Sequence, residues 1–183
     1  VQQTIEQFAK ITGQCRALFE KKTLDYGTAW RILRPASLTD QLYIKAKRIR
    51  SIEEKGQQRV ADRIEDDYMG LINYSILALM QLQLPEDAPL ELPPQQVLEL
   101  YDEQLQRSRE LLEAKNHDYG EAWRDMRIAS ITDLILQKLL RLRQMEDNDG
   151  QTLASEGREA NYFDIINYAI FALIKIEEQN ASS

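Results

Sequence analysis

Four side chains in the C-terminal half are spaced to place oxygen atoms on helix faces. Glu110-x-x-Glu113 and Asp164-x-x-Asn167 each repeat at three residues, which puts the members of a pair on one face. Two facing helices of this kind can surround a hard cation such as Mg²⁺ with oxygen ligands. The metal set expected on this reading is Glu110, Glu113 and Asp164. In the N-terminal half the corresponding residues are Ala17, Glu20, Gly70 and Asn73, so at most one full site of this type is expected.

A second kind of chemistry lies where a polar residue interrupts an apolar stripe. One stripe reads Leu38, Leu42, Lys45, Ile49, Ile52; another reads Ile131, Ile135, Lys138, Leu142, Met145. An ammonium in the central slot is costly to bury alone. Lys45 and Lys138 are therefore expected to snorkel, to meet a carboxylate, or to bind an anion such as a phosphate. Arg48 and Arg141, one turn on, would widen such a patch. Asn73 and Asn167 interrupt two further stripes, either as buried anchors between helices or as parts of a site. Tyr26, Trp30, Tyr119 and Trp123 either pack under a turn or stack on a base. His117, the only histidine, stands where the other half has Leu24 and reads as a surface residue.

These residues are positioned by a duplication. Asp25–Arg50 aligns with Asp118–Arg143 at an offset of 93, with 14 of 26 positions identical, including the signature Asp-Tyr-Gly-x-Ala-Trp-Arg. Downstream, with one residue inserted, Leu71-Ile72-Asn73-Tyr74 meets Ile165-Ile166-Asn167-Tyr168. A period this long exceeds that of solenoid repeats and points to two copies of a three-helix unit. The first helix is expected over Thr4–Lys22 and Gln95–Lys115. The second is expected to begin at the capping boxes Ser37-x-x-Asp40 and Ser130-x-x-Asp133. The third is expected over Val60–Leu82 and Glu156–Glu178. The signature glycine is expected in a backbone conformation closed to other residues. The copies span residues 1–84 and 95–183, joined by the proline-rich linker 85–94, with Pro94 or its neighbour opening the fourth helix. A unit of about 90 residues buries its helices poorly alone. The expected fold is all-α, two tandem three-helix repeats packed face to face as an intramolecular pseudo-dimer bundle.

Composition narrows the partners. The 183 residues carry a net charge of -7, which argues against tight non-specific binding to nucleic acid while allowing a local cationic cluster for a small phosphate. No stretch approaches the roughly 20 apolar residues that span a bilayer. Val1–Lys10 reads as polar helix rather than a leader. The single cysteine, Cys15, reads as a small helix residue and has no internal disulfide partner. Cytoplasmic residence is expected, and association of pseudo-dimers into a homo-oligomer is compatible with the pattern.

Lys115-Asn116-x-Asp118-Tyr119-Gly120-x-x-Trp123, followed by an Asp-x-x-x-x-Lys-x-x-Arg helix and an Asp-x-x-Asn-Tyr helix, resembles the nucleotide-modification-associated domain 1 family, in two copies. More distantly, the acidic helix pairs look like those of MazG-type all-α nucleoside triphosphate pyrophosphohydrolases, with Asn161 where the second pair's first acid would stand. The resemblance implies a nucleotide or modified nucleotide as ligand. It implies Mg²⁺ at Glu110, Glu113 and Asp164, with Glu113 and Lys138 catalytic. Lys115, Arg141, Tyr119, Trp123, Asn167, Lys45 and Asn73 would bind the nucleotide. A non-catalytic binding module, or a purely structural interaction module of the same fold, is the rival reading.

Overall fold

The computed structural model describes residues 1–57, 59–148 and 157–183. They form α1 (Gln2–Tyr26), α2 (Pro35–Lys55), α3 (Ile64–Gln83), α4 (Pro94–Tyr119), α5 (Ile128–Asp147) and α6 (Arg158–Ala181), with no strand among the described residues. Among these residues no helix is long and apolar enough to cross a membrane.

Local chemistry sets the helix ends. α1 and α4 run on through the Asp-Tyr of the signature and stop at Gly27 and Gly120, with φ of 59° and 65°. A side chain resists that quadrant, so glycine ends both helices. Gly27 has a second reason: a Cβ there would stand 2.8 Å from Glu91 Oε2. The Ala-Trp-Arg that follows forms a short 3₁₀ turn in each copy, Ala29–Ile32 and Ala122–Asp125. Pro94 opens α4, where its missing N–H costs nothing.

The starts of α2, α3, α5 and α6 differ from expectation, and α1 and α4 end later than the expected Lys22 and Lys115. α2 starts at Pro35 and α5 at Ile128, so Ser37 and Ser130 lie inside the helices and cap nothing. Pro35 pre-sets the helical φ at the start of α2, and α5 opens at the aligned Ile128 without a proline. Asp40 and Asp133, freed from capping, pair across the interface instead. α3 begins at Ile64 rather than Val60, because Asp66 Oδ2 accepts the Arg63 backbone N–H at 3.3 Å and fixes the first turn there. α6 begins at Arg158, and Glu156 lies outside the described residues.

The centre of the molecule is a bundle of α2, α3, α5 and α6, with α1 and α4 each straddling α3 and α6. Leu42, Ile49, Leu71, Ile72, Ile76, Ile131, Ile135, Ile166 and Ile170 are fully buried in it. Contacts across the halves are reciprocal, the mark of an isologous interface. Glu53 of the first copy accepts a bond from Thr132 of the second at 3.2 Å, and Thr132 meets Tyr68 at 2.8 Å. Their counterparts repeat this: Glu146 accepts from Thr39, which also bonds Tyr162. Outside this pair, Arg50 faces Asp133 at 3.8 Å and Arg143 faces Asp40 at 3.2 Å.

Partial burial raises the carboxyl pKa of both Glu53 and Glu146 above the ordinary value, against the lowering effect of their threonine bonds. A carboxyl raised in the folded state contributes stability that is fully present below its unfolded pKa and is lost as pH rises through the folded one. The double substitution E53Q/E146Q keeps an acceptor and removes the charge. It is expected to stabilise the protein near neutral pH, by less than about 1 kcal/mol per site after solvent screening. That gain should vanish as pH falls below the ordinary carboxylate range, read from urea midpoints over a pH series.

Candidate functional site

Each copy forms a cleft between its first and third helices, closed at one end by the signature turn. In the first copy Lys22, Tyr26, Trp30, Gly70, Asn73 and Tyr74 line a cavity of about 660 Å³. In the second copy Lys115, Tyr119, Trp123, Asp164, Asn167 and Tyr168 line one of about 150 Å³. Every residue lining the smaller cavity has its counterpart in the larger, at an offset of 93 in the helix and turn and 94 in the third helix. One duplicated site has thus remained open in one half and closed in the other.

Two positions account for the closure. Leu77 of the first copy is Phe171 in the second, whose ring stacks on Trp123 with centroids 4.2 Å apart and planes 6° from parallel. Gly70 is Asp164, whose carboxylate lies between two lysines: Lys115 Nζ donates to Oδ1 at 2.6 Å, and Lys138 Nζ is 2.9 Å from Oδ2. Lys138 and Asp164 side chains are each 15% exposed. At that burial the pair meets the requirement that a lysine in an apolar stripe find a counter-charge.

The first copy lacks that carboxylate. The stem of Lys45 folds over Gly70, so that a Cβ on Gly70 would lie 2.7 Å from Lys45 Cδ. Its ammonium stands 5.4 Å from the centroid of the Tyr74 ring, a cation–π arrangement. Among the described residues no carboxylate lies within ion-pair distance of Lys45. Lys22 lines the same cavity. The far wall carries Asp62, Asp66 and Asp67 from the start of α3. Asp67 is buried and holds Arg48, which also donates to the Asp62 carbonyl at 2.6 Å. Arg48 is therefore committed to α3 and does not widen the lysine patch. This acidic wall is no part of the expected site, although the run Glu65-Asp66-Asp67 beside Gly70 is its signal in the sequence. A further groove of about 740 Å³ along the end of α2 is lined by Arg48, Lys55 and Arg59, with no aromatic ring among the described residues.

The expected metal set is not brought together. Ser108 and Leu112 are buried, and Glu110 lies two residues from each, about 200° around the helix from both. It faces solvent and accepts a bond from Gln106 at 3.1 Å. Glu113 is exposed and paired with Arg109 at 2.8 Å. Asp164 is committed to Lys115 and Lys138. Among the described residues no group of three or more His, Cys, Asp or Glu side chains is placed to hold a metal ion. Glu110, Glu113 and Asp164 do not fit a magnesium site.

Trp123 is 6% exposed, sandwiched between Phe171 and the Arg124 guanidinium 4.5 Å from its ring. It has no face left for a base. Asn167 Oδ1 accepts from Ser108 Oγ at 2.8 Å, and Asn73 donates to the Cys15 carbonyl at 3.1 Å while accepting from Tyr101 at 2.6 Å. Both asparagines are anchors between helices, and Asn73 also borders the open cavity. Tyr119 is 78% exposed at the rim, and Arg141 is exposed beside Tyr168. His117 is a surface residue, 3.1 Å from Asp118, and burial pushes the Cys15 thiol up to about 12. The signature arginines act as clamps. Arg124 binds Glu121, Glu178, Thr4 and Gln7, and Arg31 binds Gln81 and the linker carbonyl of Ala88.

Residues 22–82 and 115–176 each match the profile of nucleotide modification associated domain 1. The chain belongs to this family. It carries two tandem copies of the domain, and the two matched segments supply most of the lining of the two clefts, Leu18, Phe19 and Leu112 lying just outside them. No curated protein and no solved structure matches the chain.

In this tandem nucleotide modification associated domain, D164A strands two lysines, one of them largely buried. It is expected to lower stability by about 2 kcal/mol. E110A and E113A remove exposed contacts and should stay within about 0.5 kcal/mol of the parent. Urea unfolding of the three variants checks the contrast. A cost for E113A equal to that of D164A would show that Glu113 has a buried partner.

Proposed function

We propose that this protein binds a nucleotide in the open cleft of its first copy, with an aromatic wall for the base and a lysine pair for phosphate. The observation that carries the reading is Lys45. It is a half-buried lysine in an apolar stripe, without a carboxylate partner among the described residues, on the wall of a cavity of about 660 Å³. That volume lies within the range of sites for compact organic ligands, whereas about 150 Å³ falls below it. Trp30, Tyr26 and Tyr74 supply ring surface in the same cavity, and base–aromatic stacking contributes about 1–3 kcal/mol per base. The family's association with nucleotide modification supports a nucleotide as the ligand class.

A binding module fits this geometry better than a metal-dependent pyrophosphohydrolase. The hydrolase reading needs Glu110, Glu113 and Asp164 to converge, and it needs Lys138 available to substrate. Glu110 faces away, and Asp164 occupies Lys138. Lys115, Arg141, Tyr119 and Asn167 belong to the closed copy, so the binding roles move to Lys22, Lys45, Tyr26, Trp30 and Tyr74 of the open one.

Thermal melting of the full chain with a panel of nucleotides tests the reading. A ligand at about 100 times its dissociation constant stabilises the fold by about 2.7 kcal/mol. That shift is expected for the parent and for E113Q, and it should be lost in K45A and in G70D, which introduces the second copy's carboxylate. A shift that survives G70D but disappears in E113Q would move the site to the second copy and restore the hydrolase reading.

A further inference from the structure

The second copy shows what its lysine pair is built to hold. Asp164 presents one carboxylate, and each of its oxygens takes one lysine, at 2.6 and 2.9 Å. The equivalent Lys22 and Lys45 line the open cavity, where Gly70 leaves that anion position without a side chain. We infer that the open cleft selects a ligand with a single phosphate, a nucleoside monophosphate, seated on Lys22 and Lys45 where the second copy seats its own carboxylate. This rests on the nucleotide-binding reading and adds to it the charge of the ligand and its stoichiometry.

Charge balance carries the argument. A phosphate monoester bears about −1.5 to −2 at neutral pH, which two lysines match. A triphosphate carries roughly twice that charge. Its further phosphates would find no additional cation lining the cavity among the described residues and would face a wall of Asp62, Asp66 and Asp67 whose neighbouring cations are already engaged, Arg48 with Asp67 and Arg63 with Asp66 at 3.8 Å. Arg48 cannot answer them, since it is already bound to Asp67 and to the Asp62 carbonyl. Two lysines leave the extra charge of a longer phosphate chain without a counter-charge in the cavity, which disfavours it. The acidic wall instead suits the hydroxyl and amino donors of a sugar or base. The second copy, filled by Asp164 and Phe171, takes no ligand, so one molecule binds per chain.

The test is calorimetric titration of the full chain with nucleosides of the common bases and their mono-, di- and triphosphates, with and without Mg²⁺. Inorganic phosphate and ribose 5-phosphate serve as further probes. One monophosphate is expected to bind at one per chain, at least about tenfold tighter than its nucleoside and its triphosphate. K22A and K45A should each weaken the monophosphate and leave the nucleoside unchanged. A triphosphate binding as tightly, with or without Mg²⁺, overturns the single-phosphate inference and leaves nucleotide binding standing. Ribose 5-phosphate or inorganic phosphate binding as tightly as any nucleotide keeps the phosphate seat and overturns the nucleotide reading. Two molecules per chain would show that Asp164 does not close the second copy. No binding by any probe removes both the inference and the reading beneath it.

Discussion

A lysine set into the buried stripe of a helix has to meet negative charge, and that requirement organises both halves of this molecule. Lys138 meets it internally, through the Asp164 carboxylate that also holds Lys115. Lys45 sits in the same slot of α2, opposite a glycine, and among the described residues meets the face of Tyr74 and the open cleft but no carboxylate. One ring face recovers part of what an ammonium loses on leaving water, not all of it. A cleft with such a wall is electrostatically prepared for an anion before any ligand arrives, although the protein as a whole is acidic.

Duplication makes this asymmetry tolerable. The isologous contacts of the interface, Glu53–Thr132–Tyr68 and Glu146–Thr39–Tyr162, tie each copy's second helix to the other's. Because α1 and α4 both straddle α3 and α6, neither copy folds around a core of its own. The stabilising pair of the second copy therefore supports a frame shared by both, and the first copy can keep a lysine with no carboxylate partner among the described residues without carrying the fold alone. A single three-helix unit would have to choose between filling its cleft and keeping it open.

The sequence made the architecture legible because its signals are local or periodic. The offset of 93, the signature glycines and the proline of the linker each act through backbone geometry, and the helices appear where those signals put them. The capping boxes failed because both helices open two residues before the serine, α2 at Pro35 and α5 at the aligned Ile128, so the Ser-x-x-Asp spacing falls inside the first turns. The site was harder to read, since periodicity names the face of a helix and not the partner opposite. Glu110 and Glu113 share a spacing but project outward, and Asp164 was read as a metal ligand when its neighbours are two lysines. Gly70 looked like erosion of an acidic site. In the fold it is the residue whose missing side chain leaves room for Lys45 and for the cavity.

The signature shows the same division between what a motif fixes and what it leaves free. Its glycine ends a helix, and its arginine clamps the turn, through Glu121 and Glu178 in one copy and through Gln81 and the linker in the other. Those roles are identical in both halves and explain why the segment repeats so closely. Its tryptophan is different, because its surroundings come from another helix. Opposite Phe171 and under Arg124, Trp123 is core; opposite Leu77, Trp30 is a wall of the open cavity. The motif thus builds the turn, while two residues of the third helix, at positions 70 and 77 or 164 and 171, decide whether that turn closes over packed side chains or over a ligand.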